Sequence, residues 1–201
     1  MSDREQIFSA IRAALAPLPE RAARPEWNDA LIVCRASGEF ESLQAQFADK
    51  LRAASDKFFD TIDALVNFLQ EEGSTFGYCD PALAAYFTNH SGLSCDTEFD
   101  LAKINDYSFG ITRASAAIAE SGTLMLTDSV TTARLAALAP WIHVAVLTES
   151  DIVATIGEAI QRFGDDPSII FVTGPSKTAD VEGILIEGVH GPGIQIALVL
   201  P

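Results

Sequence analysis

Glu120-Ser121-Gly122-Thr123 follows the apolar run Ala116-Ala117-Ile118-Ala119. A carboxylate emerging from such a run is expected to be desolvated, which raises its pKa and suits it to acid–base or nucleophilic work. It fits equally well as a group that hydrogen-bonds neighbouring backbone and fixes a turn. Thr173-Gly174-Pro175-Ser176-Lys177-Thr178-Ala179-Asp180 follows the apolar run Ile169-Ile170-Phe171-Val172. A strand, a Gly turn and a polar helix start aim backbone N–H groups at one point, and such points bind anions. The plainer alternative is a tight turn whose Ser176 and Thr178 only cap a helix. His190-Gly191, in a glycine-rich loop, Asp128 with Ser129, and the cations Arg134 and Lys177 complete the polar set. Arg134 suits either a carboxylate or phosphate clamp or a surface ion pair.

Four of these clusters fall at strand ends in the second half of the chain: Glu120 to Thr123, Asp128 with Ser129, Ser176 to Asp180, and His190-Gly191. Open parallel sheets bind ligands beyond the carboxyl ends of their strands, so the loops are expected to meet around one cleft. No GxSxG elbow, full GxGxxG or Walker pattern is present. Three histidines without metal-ligand spacing argue against a metal site.

The elements that must position these residues alternate. Ser2 and Glu5 have capping-box spacing ahead of Ile7, Ile11 and Leu15, which predicts a short N-terminal helix ended by Pro17 and Pro19. Residues 1–25 read as this helix and a linker, and 26–201 as one α/β domain. Strands are expected at 31–34, 57–59, 75–78, 93–95, 109–112, 124–127, 142–147, 169–172 and 195–200, with helices between them. One helix is capped by Asp60, and another runs from Thr148 through Ile152, Ile156, Ile160 and Phe163. The alternation implies βαβ units and a mainly parallel sheet.

The net charge of −15 over 201 residues argues against a phosphate-backbone binder and disfavours anionic membrane surfaces. Cys34, Cys79 and Cys95 form no CxxC pair, so no cluster or zinc ribbon is expected within this chain. The N-terminus lacks a signal-peptide core, and Leu135 to Leu147 is too short to span a bilayer. These features fit a reduced, cytoplasmic protein.

Ala116-Ala117-Ile118-Ala119-Glu120-Ser121-Gly122-Thr123-Leu124, then Arg134-Leu135, then Gly174 to Glu182, then Gly188-Val189-His190-Gly191-Pro192 resemble the LUD-domain family, the lactate utilisation protein C or YkgG group. The resemblance covers roughly residues 108–200. It implies a three-layer α/β/α fold like that of the ribose-phosphate isomerase and CoA-transferase superfamily. It also implies a part in bacterial L-lactate oxidation to pyruvate beside iron–sulfur partner proteins, with no cluster or other cofactor in this chain. Glu120-Ser121-Gly122 is further similar to the Glu-bearing turn of CoA transferases. The resulting expectation is an accessory subunit with a small-anion cleft made by Ser121, Gly122, Thr123, Arg134, Gly174, Ser176, Lys177, Thr178, Asp180, His190 and Gly191. Two alternatives stand beside it: a stand-alone enzyme with Glu120 as base or nucleophile, and a non-catalytic assembly module.

Overall fold

β-Branched and aromatic runs bounded by Gly, Pro and Asp set the strands of the body, and apolar residues three and four apart set its helices. The computed structural model describes residues 2–16, 39–87, 90–131, 133–179 and 185–201. The chain divides into two units, 1–33 and 34–201. In the first, helix α1 (Asp3–Leu15) opens with the expected capping box: the Ser2 hydroxyl accepts from the Glu5 N–H, and the Glu5 carboxylate accepts from the Ser2 N–H. The expected strand at 31–34, the linker before it and the 25/26 boundary lie outside the described residues.

The second unit is built on a six-stranded, wholly parallel sheet. Its strands are β1 (Lys57–Phe59), β2 (Phe76–Cys79), β3 (Ser94–Asp96), β4 (Phe109–Arg113), β7 (Ile142–Thr148) and β12 (Ile194–Leu200). They lie in the order β1-β12-β7-β4-β2-β3. The central strands are buried on both faces, which is why β7 and β12 read as near-continuous apolar runs. Helices α3 (Ile62–Glu71) and α4 (Ala84–Phe87) cover one face, where Leu65, Val66, Leu69 and Phe87 pack on Phe109, Ile111, Val144, Val146, Ile196 and Leu198.

The opposite face, with Ala145, Leu147, Ala197 and Val199, is covered by Phe47 and Leu51 of α2 (Leu43–Ala53) and by a second sheet. That sheet holds β5 (Ala116–Ile118), β6 (Thr123–Thr127), β8 (Ile152–Val153) and β9 (Ile169–Val172), in the order β8-β5-β6-β9. Its outer side packs on α6 (Ile156–Phe163). Helix α5 (Arg134–Leu138) lies on β4, where a Cβ on Gly110 would fall 1.8 Å from the Ala136 carbonyl oxygen. The expected α/β fold with a mainly parallel sheet and flanking helices is present, and its third layer combines helices with a small sheet.

Three local expectations are corrected. Thr61, not Asp60, caps α3, its hydroxyl accepting the Ala64 N–H. The helix expected from Thr148 is interrupted: Thr148 starts a single 3-10 turn, β8 follows, and α6 begins only after its cap Thr155. Val153 of the β-branched pair Ile152-Val153 pairs with Ile118, and that pairing takes the segment out of the helix. The polar segment after Gly174-Pro175 starts no helix: β10 (Lys177–Ala179) pairs antiparallel with β11 (Leu185–Glu187) as a two-stranded ribbon.

Candidate functional site

A cleft of about 330 Å³ opens at the carboxyl ends of β4, β7 and β12, where Arg113, Thr148 and Leu200 terminate neighbouring strands. Its walls include Leu83, Val130, Leu147 and Phe163. Arg113 donates through Nε to Asp80 Oδ2 at 3.2 Å. Asp80 is buried and is itself fixed by the Ala82 N–H at 2.9 Å. A guanidinium tethered through Nε keeps its two terminal nitrogens as a planar fork, the geometry that matches a carboxylate or phosphate. Arg162, also lining the cleft, lies 3.5 Å from Asp151, and Asp151 accepts from the Thr148 hydroxyl at 2.8 Å. Ser115 lines the cleft, and its Oγ lies 2.6 Å from Thr127 Oγ1, which lies 3.2 Å from Ser129 Oγ. The Thr131 hydroxyl donates to the Arg113 carbonyl at 2.7 Å, tying the loop after β6 to the end of β4.

The opposite, amino end of the main sheet holds a different constellation. Asp56 lies just ahead of β1 and is 5% exposed. Its Oδ2 accepts from the Gly174 N–H at 2.9 Å, and its Oδ1 has no hydrogen-bond partner among the described residues. Burial pushes the Asp56 carboxyl up to about 7, against the lowering pull of the Gly174 N–H and the Lys177 ammonium. Lys177 Nζ donates to Ser55 Oγ at 3.2 Å and lies 3.7 Å from Glu187. Ser55 itself has the left-handed φ of 75°, uncommon for a residue with a Cβ. Ser121 Oγ, Thr123 Oγ1 and Thr173 Oγ1 form a chain of hydroxyls at 2.8 and 2.6 Å.

A third polar row crosses the sheet interior. The His143 Nε2 lies 2.8 Å from Thr112 Oγ1, and Nδ1 lies 2.8 Å from Gln195 Oε1. Burial lowers its pKa to about 4, against the Gln195 hydrogen bond, so the imidazole is neutral at neutral pH. This arrangement fits a neutral ring donating from Nδ1 to Gln195 and accepting at Nε2 from Thr112.

The residues singled out by sequence therefore divide between two poles. Thr123 meets Thr173, Gly122 packs on the backbone of Lys50 and Leu51, and Ser176 Oγ accepts from the His190 N–H at 3.2 Å. Gly191 lies against Ser176, a Cβ there falling 3.4 Å from that of Ser176. These residues, with Gly174 and Lys177, belong to the amino end. Thr178 lies in β10 opposite Ile186, and Asp180 lies outside the described residues. Glu120 Oε1 accepts from the Ile156 N–H at 2.8 Å, at the first turn of α6. Arg134 joins neither group: it ion-pairs with Asp128 and donates to Ser168 Oγ at 2.8 Å. Ser129 instead adjoins the carboxyl-end cleft through Thr127, while Asp128 stays with Arg134.

Arg113, Asp80 and Asp56 carry no signal that singles them out in the sequence. Asp56 sits in no motif, and Arg113 gains its setting only when β2 and β7 come to flank β4.

The model of the LUD domain matches residues 84–200. The chain belongs to the LUD-domain family. Its LUD segment runs from α4 through β12 and so contains Arg113 and the strands that form the cleft. The chain is 34% identical over 200 residues to lactate utilization protein C 1 of Bacillus mycoides, covering 87% of this chain and 83% of that protein. It is 36% identical over 91 residues to lactate utilization protein C of Oceanobacillus iheyensis, a stretch spanning only 39% of that relative. Among solved structures, a DUF162 family protein from Deinococcus radiodurans superposes with a TM-score of 0.59 at 19% identity, covering 79% of this chain and 96% of that one. That likeness concerns the fold. Among the described residues, no helix is long and apolar enough to cross a membrane.

Proposed function

We propose that this chain is an accessory, anion-binding component of a bacterial lactate-utilisation system, with the ligand seated on Arg113 in the carboxyl-end cleft. The observation that carries this reading is the Nε-tethered guanidinium of Arg113 at the ends of adjacent parallel strands, in a chain of net charge −15. Two arginines line this one cleft, each held by an aspartate, Asp80 and Asp151. The names of the relatives supply the lactate context. A cleft of about 330 Å³ with apolar walls suits an anion carrying a carbon body larger than lactate, such as a sugar phosphate or an acyl thioester. Oxidation itself falls to iron–sulfur partner proteins in this reading, and the present chain positions or senses the anion.

Calorimetry with lactate, pyruvate, sugar phosphates and CoA esters tests the cleft. Binding of one of them at a single site, lost in Arg113→Gln, is the expected result. Silence of the whole panel rejects the cleft as an anion seat. Retention of the iron–sulfur proteins of the host on the immobilised chain tests the accessory role. Glu120 as base or nucleophile of a stand-alone isomerase or transferase is the competing reading, supported by its place in a turn beside three linked hydroxyls. Full turnover by Glu120→Gln excludes that role.

A further inference from the structure

β2 and β3 run parallel at one edge of the main sheet, with Gly77 opposite Cys95 and Tyr78 opposite Asp96. Alternation along the strands puts Cys79 on the same face as Gly77, and therefore as Cys95. The Cys79 thiol donates to the Asp80 carbonyl at 3.6 Å. Both cysteines line a cavity of about 190 Å³ with Ala84, Phe87, Leu93 and Thr97. α4 stands between this cavity and the anion cleft, since Leu83 and Tyr86 line the cleft while Ala84 and Phe87 line the cavity. Cys79 is fully buried and Cys95 half-buried, so a small reagent reaches Cys95 first. The neighbouring Cys79 thiol holds the Cys95 pKa below the ordinary cysteine value, outweighing the opposing effects of burial and Asp96. The neighbouring Cys95, and then burial, push the Cys79 thiol up. The more exposed Cys95 is thus placed to act as the attacking thiol and the buried Cys79 as the resolving one.

We propose that Cys79 and Cys95 are a redox-responsive dithiol, closed to an intrachain disulfide by a hydroperoxide. The Cys95 sulfur attacks a peroxide oxygen: an S–O bond forms, the O–O bond breaks, and hydroxide leaves and takes a proton as water. Cys95 is then a sulfenic acid. The Cys79 sulfur attacks it, the S–S bond forms, the S–O bond breaks, and hydroxide leaves with the Cys79 proton as a second water. The two sulfurs lose two electrons and the hydroperoxide gains them. The ladder offsets the two cysteines by two residues, which puts their Cα atoms about 8 Å apart from strand spacing and rise. A disulfide spans at most about 7 Å, so β3 slides along β2 by about 1.5 Å as the bond closes, since the lateral spacing of the paired strands has no room to shrink. β3 is a three-residue strand at the sheet edge, bonded on one side only, and is free to make that shift.

The test is a non-reducing peptide map of the wild-type chain after treatment with hydrogen peroxide. The expected product joins the peptides of Cys79 and Cys95, lacks two hydrogen atoms, and is reversed by dithiothreitol. In Cys79→Ser the same treatment leaves Cys95 as a sulfenic acid trapped by dimedone. Cys95 carried to sulfinic acid with Cys79 still a free thiol overturns the proposal. A linkage that involves Cys34 or a second chain, or two unmodified thiols at a dose that oxidises free cysteine, overturns it as well.

Discussion

Replacing Asp56 by Asn changes how stability depends on pH, and the structure fixes the sign. The folded-state pKa of Asp56 is raised from 3.8 to about 7. The folded protein therefore holds this proton more tightly than the unfolded chain. Its contribution is fully present below about pH 4, is lost as pH rises toward about 7, and is constant above that. Each tenfold difference in proton affinity between the two states is worth about 1.4 kcal/mol. The loss is then about 4 kcal/mol over the full window, of which about 2.5 falls between pH 5 and pH 8. His143 runs the other way, because its folded-state pKa is lowered, so the wild-type curve alone mixes the two. The difference between Asp56→Asn and wild type isolates the carboxyl. Asn keeps an oxygen to accept the Gly174 N–H, so the fastening of that segment survives. Urea denaturation at a series of pH values is the assay. The expected result is that Asp56→Asn gains on wild type by about 2 to 3 kcal/mol between pH 5 and pH 8. A flat difference curve, or one in which wild type gains as pH rises, refutes the reasoning.

Three further outcomes follow from single contacts. Gly122→Ala puts a Cβ at φ +67° and 2.4 Å from the backbone of Lys50 and Leu51, and is expected to cost at least about 2 kcal/mol in urea melts. Glu120→Ala removes the acceptor for the Ile156 N–H at the start of α6 and is expected to cost about 1 kcal/mol, whereas Glu120→Gln keeps an acceptor and costs less. The imidazole of His143, followed by NMR, is expected to titrate near pH 4; a midpoint near its ordinary 6.5 contradicts the buried Thr112–His143–Gln195 row.

The strands of the body are legible in the sequence because burial on both faces demands near-continuous apolar runs, as in Ile142 to Leu147 and Gln195 to Leu200. The segment after Gly174 is not, because Ser176-Lys177-Thr178 carries a helix-start signal while its structure is decided by a partner strand at 185–187. Thr148 misleads in the same way: it does open a turn, its N–H and hydroxyl donating to the Asp151 carboxylate, but pairing with β5 takes the following residues. For the site, types are legible and positions are not. Glu120 and Arg134 stand out as polar groups set among apolar neighbours, yet α6, Asp128 and Ser168 bind them. Arg113 reads in sequence as a charge ending a strand, and its setting exists only once chain crossovers bring β2, β4, β7 and β12 side by side. Cys79 and Cys95 likewise look remote until β2 and β3 pair.

Isothermal titration of the binding anion into wild type, Arg113→Gln and Lys177→Ala tests the central claim most directly. Wild type and Lys177→Ala are expected to bind alike, and Arg113→Gln to bind at least about tenfold more weakly, equivalent to about 1.4 kcal/mol. Undiminished binding by Arg113→Gln, with the loss appearing in Lys177→Ala, contradicts the account and moves the anion to the amino end of the sheet.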